Sequence, residues 1–299
     1  MQTSKLTDTS QVHLGWVLAV VQLKFENSEL SQKLMLTSER HHAGLKPGRG
    51  WVQRLVRESL LADTSAGRQS QVALLAKASL LSMEAIHQVV QAWQRQGRPL
   101  SEVYLDGIAP GARLLGEWWT ADTISFVDCT IAMSRLHRLM YDCSAEFLAA
   151  GSAQSNGFSV LLMTEPGSQH SLGIFMLSEF FKQAGWNVTL AAPPHLGDFR
   201  RYFQSDWFDA VGLSLSSDRY LDDMAKLLPE LVAESVNSRL QVFVGGPMSE
   251  LAPEKLTWPG TLFLRENAQK TVEILTQAMH FAASSSFTPE QNLDGISNL

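Results

Sequence analysis

Cysteine is almost missing from this chain: 299 residues hold only Cys129 and Cys143. Both fall in one run that reads as a single helix, and fourteen positions along a helix is about 21 Å. The two thiols cannot bridge each other at that separation, so a fold framed by disulfides is excluded. Long apolar runs are missing too. The segment Leu14–Leu23 (LGWVLAVVQL) is about half of what a bilayer span needs, and no basic cluster precedes it. The expectation is a reduced, cytoplasmic protein with no membrane contact. Nor is there a surplus of positive charge: 24 Lys and Arg stand against 30 Asp and Glu, a net charge of −6. No basic face dominates, which disfavours a protein that reads duplex DNA alone. Finally, the chain has no Ser-His-Asp arrangement, no P-loop and no cluster of metal ligands, so no acid–base enzyme is indicated.

What is present is an ordinary globular balance, with 45% hydrophobic and 18% charged residues. The length suffices for two domains, each with its own core. Residues 1–50 form an extension, read as a mobile arm, a partner-docking helix or a poorly ordered terminus, and Gly44–Gly50 (GLKPGRG) reads as a linker. From 51 to 150 the periodicity is helical only: Val52, Leu55, Val56, Leu60 and Leu61; then Val72, Leu75, Ala76 and Leu80; then Ile86, Val89, Val90 and Trp93. Gly97-Arg98-Pro99 breaks the run. Ser101 is placed to cap the next helix, which carries Val103, Leu105, Ile108, Leu114 and Leu115 and a kink at Pro110-Gly111. A last helix is expected from Thr123 to Ala149, with Ile124, Val127, Ile131, Leu136 and Leu139 towards the core. This is a bundle of four or five helices.

Residues 151–156 open a small, polar stretch (GSAQSNG, Gly151–Gly157) that reads as the domain boundary. Beyond it, over 157–283, strands near 159–163, 187–191, 210–214, 241–244 and 261–264 alternate with helices near 172–184, 197–204, 219–236, 250–256 and 266–282. Such alternation predicts a parallel sheet covered on both faces by right-handed crossovers. The tail 284–299 has few apolar residues and is expected to be disordered. The chemistry concentrates at the first strand tip, where Thr164-Glu165-Pro166-Gly167-Ser168-Gln169-His170-Ser171-Leu172-Gly173 joins strand to helix. Open α/β sheets hold ligands at the carboxyl ends of their strands. A neutral imidazole there is a good metal ligand, and Gly173, lacking a Cβ, leaves room beside the first helical turn. Ser214 ends the third strand, and Gly245-Gly246 ends the fourth.

In that order and spacing, His170, Gly173, Ser214 and Gly245-Gly246 resemble the cobalamin-binding domain, a Rossmann-like (flavodoxin-like) α/β fold with a five-stranded parallel sheet and a helical-bundle cap. The resemblance implies that His170 binds cobalt from below. It also implies that the displaced nucleotide tail runs past Gly173, Ser214, Ser216, Gly245 and Gly246. That pattern carries an acidic residue two before the histidine, and here the position is Ser168. A hydroxyl can accept the same imidazole N–H bond without the charge, so the resemblance implies a weaker cobalt–His170 bond, with Glu165 as a distant substitute. The segment Leu115-Gly116-Glu117-Trp118-Trp119, followed by Ile124-Ser125, resembles the cap that covers the corrin, with Trp119 above the ring. Trp118 is read either as a second cap residue or as bundle core. Light-sensing cobalamin repressors carry a Glu-His pair ten and eleven residues after that tryptophan; here those positions are Cys129 and Thr130, and no winged helix precedes the bundle.

A narrower likeness covers about residues 51–280. Gly116-Glu117-Trp118-Trp119 through Ser125-Phe126-Val127-Asp128, Pro166-Gly167-x-Gln169-His170-x-Leu172-Gly173, and Ala184-Gly185-Trp186-Asn187-Val188 are similar to the AerR/PpaA group of photosynthesis regulators. Membership implies a cobalamin-binding antirepressor that contacts a CrtJ/PpsR-type repressor in response to light or oxygen and reaches DNA only through that partner. Hydroxo- or aquocobalamin is the expected form, since an adenosyl group would crowd the pocket under Trp119, though adenosylcobalamin remains an alternative. Two other readings stay open: a corrinoid methyl carrier serving a methyltransferase, and a haem or redox sensor using His170 or one of His41 and His42.

Overall fold

A computed structural model describes residues 65–285 except 153, 169 and 257. The expected extension 1–50, the helical pattern at Val52–Leu61, His41 and His42, and the tail beyond Ser285 lie outside the described residues. Among the described residues the first helices of the bundle are α1 (Ser65–Leu81) and α2 (Met83–Arg95). Ser82 caps α2 by accepting from Ala85 N at 3.1 Å, and the apolar phase of α2 buries Ile86, Val89, Val90 and Trp93 as expected. Next comes α3 (Leu100–Glu102), whose first flanking residue is Pro99. Ser101 therefore lies inside the helix and does not cap it, because the fixed φ of Pro99 already sets the helix entry.

The helix then widens into a π-helical turn over Val103–Ile108 before continuing as α4 (Ala109–Thr120). Ala109 N bonds to Tyr104 O, five residues back. A proline ring at position 110 would crowd the carbonyl four residues earlier, and a wider turn relieves it. The expected kink at Pro110-Gly111 is thus taken up one turn earlier, without a break. Gly107 lies in that turn, where an added Cβ would meet the Trp93 ring at 2.6 Å. The turn also delivers the Tyr104 hydroxyl to Met140 O at 3.1 Å.

The long helix α5 runs over Phe126–Ala149, three residues later than expected. Thr123 N and Ile124 N bond back to Trp118 O, closing α4. Ser125 then forms a capping box with Asp128. Leu136 and Leu139 face the core as expected, but Val127 and Ile131 are 44% and 43% exposed. The buried stripe is Ala132, Leu136, Leu139, Met140 and Phe147, because α5 must meet α1 on one side and the sheet's first helix on the other.

The second half is built from β1 (Ser159–Thr164), α6 (Leu172–Gln183), β2 (Asn187–Ala191), a 3-10 turn at Leu196–Asp198 leading into α7 (Phe199–Ser205), β3 (Ala210–Ser214), α8 (Leu221–Ala233), β4 (Gln241–Gly245), α9 (Pro247–Leu251), a second 3-10 turn at Pro253–Lys255, β5 (Thr261–Phe263) and α10 (Ala268–Ser285). All five strands are parallel, in the order β2-β1-β3-β4-β5. The order reverses beside β1, so its carboxyl end and that of β3 flank the crevice where such sheets take ligands. The helix expected over 250–256 starts instead at Pro247. Gly246 at φ +94° turns the chain, and proline suits the first helical position. The single helix ends again at Leu251, with the 3-10 turn as its remainder.

The two halves do not have separate cores. One buried cluster joins the bundle to α6, to β1 residues Val160 and Leu162, and to α10. The other lies across the sheet, beneath α7, α8 and α9. Tyr104 stacks on Phe147 with ring centroids 4.6 Å apart, and Phe180 of α6 meets Phe147 edge-on at 5.0 Å. Buried Glu179 of α6 accepts from Ser144 of α5 and pairs with Lys182 at 3.0 Å. The stretch after α5 is tied down as well: Ser152 N bonds to Gln183 O, and Asn156 N to Gly185 O.

Candidate functional site at the sheet rim

The rim is organised by the turn after β1. Pro166 and Gly167 form its centre, with Gly167 at φ +69° and Ser168 N closing back onto Glu165 O at 3.1 Å. A turn with proline second and a left-handed third residue calls for glycine at that third place. The turn lifts His170 to the surface, where it is exposed just before α6. Among the described residues no hydrogen bond to its imidazole is made. Gly173 follows in the first turn of α6, with nothing within 4 Å of the place a Cβ would occupy.

Behind this turn sits a carboxylate. Glu165 is 5% exposed and takes the hydroxyl of Ser216, the hydroxyl of Ser217 at 3.1 Å and the amide of Ser217 at 3.4 Å. A buried charge is tolerated when several donors satisfy it. Ser216 Oγ lies 3.0 Å from Ser168 Oγ, and Ser168 Oγ accepts from His170 N at 3.2 Å. The expected bond from the imidazole to Ser168 is not what the structure holds: the serine serves the backbone amide of His170, since a short side chain two residues back reaches that amide in a local turn.

Across the rim, Ser214 pairs in register with Thr164 on one side and Gly245 on the other. Leu215 N bonds to Gly245 O at 3.0 Å, carrying the pairing past the strand ends. At Gly246 a Cβ would fall 2.7 Å from Leu215 O and 2.9 Å from Ser214 Oγ, and φ is positive, so backbone itself forms this edge of the crevice. Gly245 is looser, its added Cβ meeting only Leu264 O at 3.4 Å. The structure therefore brings together Ser168, Ser216, Ser214, Gly245 and Gly246 around the strand ends, with His170 and Gly173 at the mouth. The rim thus offers an exposed histidine, an unobstructed helical turn and a backbone-lined edge.

The two tryptophans stand on the bundle. Trp118 is half-buried against the bundle core. Trp119 is 45% exposed and packs on Phe126, ring centroids 5.7 Å apart. Contact between the bundle and the His170 segment runs through other residues. His137 Nε2 lies 3.5 Å from Ser171 Oγ, and Tyr141 stacks on Phe175 at 4.9 Å. Sequence reasoning missed His137 and Ser217. The one visible signal for His137 is its place seven residues, or two turns, after Thr130, on the same face of α5. The thiols of α5 sit in apolar or acidic surroundings: burial raises the Cys129 pKa, and burial with Glu146 and Asp142 pushes Cys143 up to about 11. Both stay protonated near neutral pH, which opposes a thiolate role.

Comparison with known proteins places these features in a family. The B12 binding domain family matches residues 159–275, the span from β1 into α10. The chain is 31% identical over 162 residues to the Rhodobacter capsulatus protein named "Uncharacterized 20.5 kDa protein in bchF-crtJ intergenic region"; the match covers 54% of this chain and 84% of that protein. It is 29% identical over 168 residues to serine hydroxymethyltransferase 2 of Burkholderia pseudomallei, but the match spans only 33% of that enzyme. Among solved structures, the Methanosarcina barkeri monomethylamine corrinoid protein aligns with a TM-score of 0.59 over 71% of this chain and 99% of that one, at 13% identity. That is a likeness of fold: a helical region joined to a five-stranded parallel sheet. Among the described residues no helix is long and apolar enough to cross a membrane.

Proposed function

This chain carries a B12 binding domain over residues 159–275 and belongs to one family with the Rhodobacter capsulatus protein of the bchF-crtJ intergenic region, and from these we propose that it is a cobalamin-binding regulator of transcription rather than an enzyme. The observation that carries the reading is the exposed His170 in the turn after β1, on a sheet whose fourth-strand end is closed by backbone packed at Gly246. In this reading His170 would ligate the cobalt, and Gly173, Ser214, Ser216, Gly245 and Gly246 would hold the cofactor's nucleotide portion. A bound corrinoid supplies a cobalt with a replaceable upper ligand, and with it sensitivity to light and oxidation state. Trp119 and the exposed Val127 and Ile131 offer the apolar surface on the bundle, and hydroxo- or aquocobalamin is the preferred form.

The partner in this reading is a repressor of the CrtJ/PpsR type, with DNA contacted only through it. The relative's place in the bchF-crtJ intergenic region supports that choice. So does the way the bundle is fastened to α6: a ligand seated at the rim would act on a body whose halves share one core, shifting its population towards the bound shape. The test is an absorption spectrum of the full chain after incubation with hydroxo- and adenosylcobalamin, lit and dark, followed by a pull-down with the repressor. The wild type should take up colour, and His170→Ala should bind at least about a hundredfold more weakly. Equal binding by the two removes the imidazole from the site, and repressor capture unaffected by His170→Ala removes cobalamin from the regulation.

A methyl-carrier role is the second reading, favoured by the fold likeness to the monomethylamine corrinoid protein. Against it stands Ser168, which puts no charge two residues before His170. A methyl-transfer assay on the loaded chain separates the two readings.

A further inference from the structure

We propose that the outer edge of β2 pairs with β2 of a second copy of this chain, antiparallel about a two-fold axis at Thr189. The inference goes beyond the cofactor reading and rests on the sheet alone. β2 is an end strand of that sheet. Asn187 N bonds to Phe158 O at 2.9 Å, and along a parallel ladder alternate residues turn both backbone groups to the same neighbour. Asn187, Thr189 and Ala191 therefore serve β1, while Val188 and Leu190 present their N–H and C=O outwards. Such a row is a template for another strand unless something blunts it.

The two edges of the sheet are protected unequally. β5 has only three residues (Thr261–Phe263); Pro259 and Gly260 precede it, Gly260 at φ +74°, and Arg265 and Glu266 follow closely. A short strand between a turn and charges is a poor template. β2 has five residues, Asn187–Ala191 (NVTLA), with no charge and no proline among them. Asn187, Thr189 and Leu190 are exposed, Leu190 at 43%. The entry to the strand is held firmly: Gly185 turns at φ +87°, and Trp186 Nε1 bonds to Thr276 Oγ1 at 3.0 Å. Pro193 and Pro194 stop the chain from continuing it.

Self-complementarity selects the occupant. With Thr189 opposite its own copy, Val188 faces Leu190 of the second copy and Leu190 faces Val188. The outward groups of the two strands then make four N–H···O bonds with none left over, and no other antiparallel register does so within five residues. An uncharged strand meets no like charge in its copy, and a two-fold contact uses one patch twice. Two five-residue edges bury less than the roughly 1,000 Å² of a lasting complex, so the dimer is a weak one that forms at micromolar concentration. Because the paired strands run oppositely, the carboxyl ends of the two sheets point apart, and both His170 rims stay open.

The experiment is sedimentation velocity on the full chain across a micromolar concentration series, with hydrogen exchange read along β2. The wild type should move from monomer towards dimer as concentration rises. The Val188 and Leu190 amides should exchange more slowly in the dimer, while Asn187 and Thr189 stay as they were. Leu190→Pro removes an outward N–H that makes no bond within the monomer, so the chain should still fold. With two of the four bonds gone, its dimerisation should weaken at least about tenfold. Thr189→Lys sets two like charges face to face and should do the same with an unchanged melt. Thr189→Cys should cross-link the copies under mild oxidation, since facing residues that share no hydrogen bond stand about 4.5 Å apart at Cα. A wild type that stays monomeric throughout overturns the proposal. So does a dimer that Thr189→Lys leaves intact, because another surface then holds it. Slowed exchange that appears only when a different protein is added makes the occupant a foreign strand, and overturns it too.

Discussion

The sheet rim and the junction of α4 with α5 both carry residues marked for a ligand, and they are held in opposite ways. At the rim, the shape belongs to the backbone. Gly246 turns at φ +94° with no space for a Cβ, and Gly167 turns at φ +69° to raise His170. At the junction, the backbone is ordinary capped helix, and what is offered is side-chain area: Trp119 on Phe126, with Val127 and Ile131 exposed beside them. A rim made of backbone ties ligand fit to folding. A patch made of exposed side chains can change its ligand contact and leave the fold alone.

Substitutions can break or sharpen that contrast. The largest effect is expected where the two regions are joined. Phe147→Ala removes the ring between Tyr104 and Phe180 and should cost about 3–5 kcal/mol. Because the core is shared, calorimetry should show one transition moving as a unit; two separated transitions would divide the body in two. Gly246→Ala comes next. Its strained φ and contacts under 3 Å should cost about 1–3 kcal/mol and weaken corrinoid binding in the same variant. A melt and a spectral titration read both, and a loss of only one would uncouple rim shape from fit.

Trp119→Ala should do the reverse. Its melting should stay within about 0.5 kcal/mol of wild type, while the corrinoid Kd rises about tenfold, or about 1.4 kcal/mol. A large drop in stability would make Trp119 a bundle residue. The smallest effect has the most telling sign. Gly173→Ala meets no atom within 4 Å and should stabilise α6 by up to about 1 kcal/mol, yet bind corrinoid less well because the new methyl enters the ligand's path. A variant that gains stability and binds as well as wild type takes Gly173 out of the groove.

The strands were legible because their signals are local. Ser159–Thr164, Asn187–Ala191 and Ala210–Ser214 fall within a residue of their expected bounds, since an apolar run between turn residues has few other uses. The rim positions were legible for the same reason, as strand tips can be counted. The phase of α5 was less so. Val127 and Ile131 are as apolar as Leu136, and their exposure was decided by which neighbours the helix meets. Glu165 shows the same limit: its position was visible as a carboxylate near the histidine, but its link through Ser216 crosses fifty-one residues of chain.

By itself the sequence determined the alternation that builds a five-stranded parallel sheet, the turn that exposes His170 and the glycines at the strand ends, because backbone conformation and hydrophobic period are properties of neighbouring residues. Only the tertiary structure decided that bundle and sheet share a core, that His137 meets Ser171, and that the hydroxyls of Ser216 and Ser217 converge on a buried carboxylate behind the turn. Those depend on distances between segments far apart in the chain, which packing alone sets.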